Sequence, residues 1–163
     1  PVGGVVISAD IAATFDDRVF PGGLTYSGHP LATASIVGSI DAMREEKVNE
    51  HAAEIGEKVI GPGLRDLMDR HKVIGEVRGL GVFWALDLVT DRATREPLAP
   101  YAGTSPAMTE LVTECKKRFL IPFTNFNRMH VVPPATVSEA EVTEGLAILD
   151  DVFGIIDAHY TGA

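Results

Sequence analysis

The sequence predicts an α/β chain in which helices cover one face of a small, largely antiparallel sheet. Three observations predict it. The elements run in the order strand, helices, strands, helix, strands, helix; the apolar period changes from helical to strand-like after His71; and several helices carry their own start signals in Pro30, Ser105-Pro106 and Ser138.

Val2 to Ser8, continuous in Val and Ile after two glycines, reads as a short buried strand that belongs to a different sheet from the rest. A brief helix follows from Ala9 to about Phe15. Gly23-Leu24-Thr25-Tyr26-Ser27-Gly28-His29 is a glycine-flanked hydroxyl loop running into a long helix, Pro30 to Lys47, whose first residue is a proline. A helix N-terminus behind such a loop offers donors and a positive dipole end to an anion, although an ordinary loop-to-helix entry reads the same way. His29 beside Pro30 is read as a helix-entry residue making local hydrogen bonds. The helical pattern resumes from Glu50 to His71, with a break expected at Gly61-Pro62-Gly63, so two helices are predicted there.

Val73 to Val77 and Val82 to Leu88 are β-rich runs joined by a tight bend or bulge at Arg78-Gly79-Leu80-Gly81. That glycine pattern lacks a third glycine and a following helix, so a dinucleotide loop is disfavoured. Phe83 and Trp84 are expected in the core. Asp91 to Tyr101 is polar and proline-interrupted, as in a surface loop. Ser105 caps a helix that starts at Pro106 and lasts to about Phe119, with Cys115 on its apolar stripe beside Met108, Leu111 and Val112. Ile121 to Phe126 and Arg128 to Val132 are two more short strands, the second stopped by Pro133-Pro134. Ser138 and Glu141 form a capping box, and Val142, Leu146, Leu149, Phe153 and Ile156 make one face of the last helix.

The 163 residues have the usual size of one domain. Because the chain starts at Pro1 and goes straight into a strand pattern, a fragment without a secretory or transit segment is expected. The 14 basic against 23 acidic residues give a net charge of -9, which disfavours nucleic acid and anionic lipid as partners. No apolar run has the length of a membrane span, and the single Cys115 reads as a buried structural thiol that fits a cytoplasmic setting. His51 and His71 stand singly on helices, so no metal site is proposed.

The motifs P-V-G-G-V-V-I-S at Pro1 to Ser8, G-L-T-Y-S-G-H-P-L-A at Gly23 to Ala32, I-G-E-V-R-G-L-G at Ile74 to Gly81, and Pro133-Pro134 before a capped terminal helix occur in that order. In this the whole chain resembles the C-terminal part of class III pyridoxal-phosphate aminotransferases, with T-Y-S-G-H-P leaning toward amine or ω-amino acid transaminases. The resemblance implies a pyridoxal-phosphate transferase of fold type I. It implies the end of the large cofactor-binding domain at residues 1–29, a connecting helix at 30–47 and a small α/β domain at 48–163. It further implies pyridoxal 5'-phosphate as cofactor, an amino donor and a 2-oxo acid such as pyruvate as substrates, and a homodimer or higher homo-oligomer.

On the same resemblance the Schiff-base lysine lies upstream of Pro1, and none of Lys47, Lys58, Lys72, Lys116 and Lys117 matches it. No catalytic residue is therefore assigned within the chain, and the isolated chain is expected to be inactive. Thr25 matches a threonine that binds the cofactor phosphate across the dimer interface, and Leu24 lines the same pocket. Many family members carry a carboxylate-binding arginine where this chain has His130. Arg128, two residues earlier on the same strand face, is a displaced candidate for that task. Both are candidate substrate-binding residues, with a salt-bridged Arg128 and a packed His130 as the alternative. Two other readings stay open: another enzyme of the same fold (a mutase, racemase or decarboxylase), and a non-catalytic interaction module presenting the helix that starts at Pro30.

Overall fold

A computed structural model describes residues 2–162. The chain divides into two compact units, Pro1–Lys47 and Val48–Ala163. The first holds α1 (Ala9–Ala13) and α2 (Pro30–Glu45), and none of its described residues is buried. Residues 2–8 form no strand, contrary to the expectation from their Val and Ile content. A strand exists only through a ladder of backbone hydrogen bonds to a neighbour, and among the described residues this segment has none; Val5 and Val6 stand fully in solvent. Ser8 starts α1 by accepting a hydrogen bond from the Ile11 N–H at 3.3 Å.

The second unit contains the core. Its first segment is one continuous helical run: α3 (Val48–Ile55), a π-helical turn (Gly56–Ile60) and α4 (Gly61–Arg70). The break expected at Gly61-Pro62-Gly63 is absent. Pro62 occupies the first turn of α4, where its missing N–H is tolerated, and the irregularity moves one turn earlier, with Gly61 donating to the Gly56 carbonyl five residues back.

β1 (Ile74–Leu80) and β2 (Phe83–Asp91) form a hairpin whose loop is only Gly81-Val82. The bend expected over Arg78 to Gly81 is thus shorter, and β1 continues through Arg78-Gly79-Leu80. Gly81 takes φ +56 at the first turn position, the left-handed conformation that a two-residue hairpin turn requires there. Close approach explains another glycine: a Cβ on Gly56 would lie 2.0 Å from the Gly81 carbonyl oxygen, so the π turn and the hairpin tip touch backbone to backbone.

The sheet order is β1-β2-β5-β4, with β4 (Phe123–Asn125) and β5 (Arg128–Val131), and all ladders are antiparallel. A two-residue β3 (Glu96–Pro97) adds to β2, so the stretch read as a surface loop carries a short strand and buries Leu98 and Ala99. α5 (Pro106–Lys117) and α6 (Glu139–Ile156) follow their predicted caps. Ser105 accepts from the Met108 N–H at 3.2 Å, and at Ser138 both halves of the capping box form.

One face of the sheet, with Trp84, Leu86, Leu88 and Met129, joins Leu64 and Leu67 of α4, Leu111 and Cys115 of α5, and Val152, Phe153 and Ile156 of α6 in a single core. Strand alternation sends Phe83 to the opposite face, where it is 60% exposed; only Trp84 of that pair enters the core. Its indole N–H donates to the Gly81 carbonyl at 2.7 Å.

Candidate cofactor and substrate sites

The loop before α2 is a compact turn. Ser27 N–H donates to the Leu24 carbonyl, His29 N–H to the Tyr26 carbonyl, and Gly28 takes φ +69, which a residue with a side chain adopts only under strain. His29 then caps α2, its Nδ1 accepting from the Leu31 N–H at 3.2 Å. This cap occupies a donor that an anion at the helix N-terminus would otherwise use. What the loop offers an anion is therefore chiefly the hydroxyls of Thr25 and Ser27, with no acidic residue anywhere in Gly23 to Ala32. Thr25 and its neighbour Leu24 are both exposed, Leu24 at 81%.

Arg128 and His130 lie in the second unit, on β5, on the sheet face that the helices leave uncovered. Cross-strand register sets their neighbours: Arg128 stands opposite Asp87 and Asn125, His130 opposite Ala85 and Phe123. Arg128 Nε donates to Asp87 Oδ1 at 3.0 Å, while Arg78 donates to Asp87 Oδ2 at 2.5 Å and lies 3.5 Å from Glu76. Arg95 closes the row on the other side of Glu76 at 2.5 Å. Burial raises the Asp87 carboxyl, but the hydrogen bonds and charges of Arg78 and Arg128 outweigh it and leave the group below its ordinary value. His130 sits between two aromatic edges, 5.9 Å from the Phe83 ring and 5.2 Å from Phe123. The face thus has a charged row and, two residues along β4 and β5 and four along β2, an aromatic row.

A cavity of about 200 Å³ opens beside the end of β5, lined mainly by Ile60, Ile121, Val131, Val142 and Leu146. Its apolar walls carry His130 and Glu141 as polar groups, and Glu141 is already spent on the α6 cap.

Spacing alone does not find the polar knot at the end of α4. His71, read as a solitary helix residue, is buried with both ring nitrogens on carboxylates, Nδ1 at 2.8 Å from Asp157 and Nε2 at 2.6 Å from Asp150. Both contacts are hydrogen bonds only when both nitrogens carry hydrogen. Asp157 also accepts from the Val73 N–H, Arg70 reaches Asp150, and Arg92 closes the helix end through the carbonyls of Lys72, Met68 and His71. His51 is tied to the Val137 carbonyl at 2.8 Å. Burial pushes the Cys115 thiol up to about 11, which leaves it a packing group.

The five lysines are all exposed. Lys58 pairs with Glu54 and Lys117 with Glu114, each at 2.6 Å, and Lys72 lies 5.5 Å over the Tyr160 ring. None is aimed into an apolar pocket of the kind that activates an amine.

The sequence pattern of the family described as "Aminotransferase class-III" matches residues 1–153. The chain belongs to the class III aminotransferase family. A 5-aminovalerate aminotransferase of Pseudomonas aeruginosa is 34% identical to this family member over 158 residues, which cover 94% of the chain and 34% of the relative. The ethanolamine-phosphate phospho-lyase homolog 1 of Caenorhabditis elegans is 33% identical over 139 residues, covering 82% and 28%. Among solved structures, the taurine:2-oxoglutarate aminotransferase of Bifidobacterium kashiwanohense, in complex with PLP and glutamate, superposes with a TM-score of 0.85 at 32% identity, over 95% of this chain and 34% of that one. The fold is that of pyridoxal-phosphate transferases of fold type I. This class III member spans about a third of the length of the curated relatives it matches.

Proposed function

We propose that this chain works as part of a pyridoxal-phosphate-dependent transaminase that moves an amino group from an amine or amino acid to a 2-oxo acid such as pyruvate. The family match over residues 1–153 carries this reading. In it, residues 1–29 end the cofactor-binding domain, 30–47 connect, and 48–163 form the small domain. The assembly is a homodimer or larger homo-oligomer in the cytoplasm.

The donor set of the Thr25 loop has the chemistry of a phosphate site: neutral hydroxyls on a turn free of carboxylates, where a dianion meets no like charge. Thr25 would hold the phosphate and Leu24 would border the cofactor. The lysines fit the other end of the cofactor poorly, since each lies on a solvated surface. The amine that carries the cofactor is accordingly supplied from outside these 163 residues. When bound, pyridoxal phosphate supplies the electron sink for amino transfer. The residues here hold its phosphate end and, through Arg128 and the aromatic row around His130, receive the donor.

The test compares two preparations. The purified 163-residue chain, given pyridoxal phosphate, an amino donor and pyruvate, is expected to form no alanine, whereas the full-length protein that contains it is expected to form alanine. Alanine from the chain alone would remove the proposed division of labour. The phospho-lyase homolog among the relatives supports a second reading, a lyase on the same fold. Turnover of an amino donor by the full-length protein in the absence of any 2-oxo acid would favour it.

A further inference from the structure

Asp87 sits at the centre of the open sheet face. Its side chain is 18% exposed, against 41% for Arg128 and 42% for Arg78, so it forms the floor on which two guanidinium groups rest. The register fixes the arrangement, because Asp87 is the cross-strand partner of both Arg128 on β5 and Glu76 on β1. Its two oxygens are divided: Oδ1 takes Arg128 Nε and Oδ2 takes Arg78. Arg128 is therefore held by its inner edge. Its terminal nitrogens, the pair that grips a carboxylate with two parallel hydrogen bonds, make no hydrogen bond to a carboxylate among the described residues.

From this geometry we infer that Asp87 is a positioning residue for donor recognition, anchoring Arg128 by Nε so that its outer fork faces a carboxylate- or sulfonate-bearing amino donor. The inference rests on the reading of Arg128 as a substrate-binding residue. Two features support it. A guanidinium on a long flexible stem loses much rotamer freedom on binding an anion, and an anchor at Nε removes part of that loss before the donor arrives. Glu76 in turn holds Arg78 beside Asp87, and with Arg95 on the far side of Glu76 the row sets three arginines against two carboxylates, which leaves it cationic. Beside it, the aromatic row of Phe83, His130 and Phe123 gives an apolar platform for the carbon chain of the donor.

The experiment uses the full-length, cofactor-loaded protein and two donors, 4-aminobutyrate with a carboxylate and 1-phenylethylamine without one. The readout is the ratio of kcat/KM for the first over the second. Asp87→Asn, which keeps shape and removes charge, is expected to lower that ratio about tenfold, and Arg128→Ala at least as much. In the Arg128→Ala background, Asp87→Asn is expected to add nothing further, because its effect passes through Arg128. A parallel measurement without turnover follows the Arg128 Nε–H signal by nitrogen-15 NMR; its exchange with water, slowed by the bond to Asp87, is expected to speed up in Asp87→Asn. If Arg128→Ala leaves the ratio unchanged, the substrate role of Arg128 fails and the inference with it. If Arg128→Ala lowers the ratio while Asp87→Asn does not, or if Asp87→Asn lowers it equally in both backgrounds, the positioning role alone is overturned.

Discussion

In the proposed function Thr25 and Arg128 would hold anions by different physics. The threonine hydroxyl is a neutral donor whose value depends on the turn that points it, whereas the guanidinium brings charge and a planar fork of its own. A hydrogen bond to a charged group contributes about 1.5–3 kcal/mol, so Thr25→Ala in the full-length protein should weaken pyridoxal phosphate roughly ten- to a hundredfold. Fluorescence titration of the apoprotein measures this, and an unaltered dissociation constant would rule the phosphate role out. His29 teaches a different lesson at the same scale. Its place before Pro30 predicts a local hydrogen bond, and the bond it makes, to the Leu31 N–H, withdraws that donor from the anion site the helix end suggested.

Elements announce themselves in sequence when their signals are local. α5 and α6 were legible because Ser105 and Ser138 sit within three residues of the N–H groups they satisfy. Ser138→Ala should cost about 1 kcal/mol of stability through the lost cap, read as a fall in the urea midpoint at constant slope. Features that join distant residues were not legible. The contacts of His71 with Asp150 and Asp157 span 79 and 86 residues, and no pattern around His71 foretells them. Residues 2–8 fail in the opposite sense, since Val and Ile content reports β propensity but not a partner strand. Hydrogen bonds from Arg70 and His71 hold the Asp150 carboxyl below its ordinary value. A depressed carboxylate stabilises the fold fully above its unfolded value of about 4 and ceases to do so as pH falls through the lower folded value. The stability advantage of the wild type over Asp150→Asn should therefore be constant from pH 7 to about pH 5 and shrink below about pH 4. Urea titrations at pH 7 and pH 3 check it; an equal gap at both would show that the ion pairs contribute nothing.

Across the whole molecule, burial is unevenly shared. Among the described residues, every buried one lies in the unit that starts at Val48, while Phe20, Leu24 and Leu31 of the first unit stand in solvent. Residues 48–163 expressed alone should fold cooperatively, with a single thermal transition, and trypsin acting on the entire chain should cut at Arg44 or Lys47 and leave this unit intact. Cleavage spread evenly through both units would contradict that. The open sheet face was half legible: the strand spacing put Arg128 and His130 side by side, but Asp87 joined them only through a pairing between residues 41 positions apart. The π turn at Gly56–Ile60 has a consequence for the architecture as a whole. A π turn carries one residue more than an α-helix needs and absorbs it within a wider turn, so α3 and α4 keep nearly the phase of one α-helix. Deleting one residue from it would restore an unbroken α-helix with Leu64 and Leu67 still turned toward the sheet, whereas deleting one residue of α4 ahead of them would swing both about 100° around the axis. The turn is thus the place where the helical run can lose a residue without turning its apolar face away from the sheet.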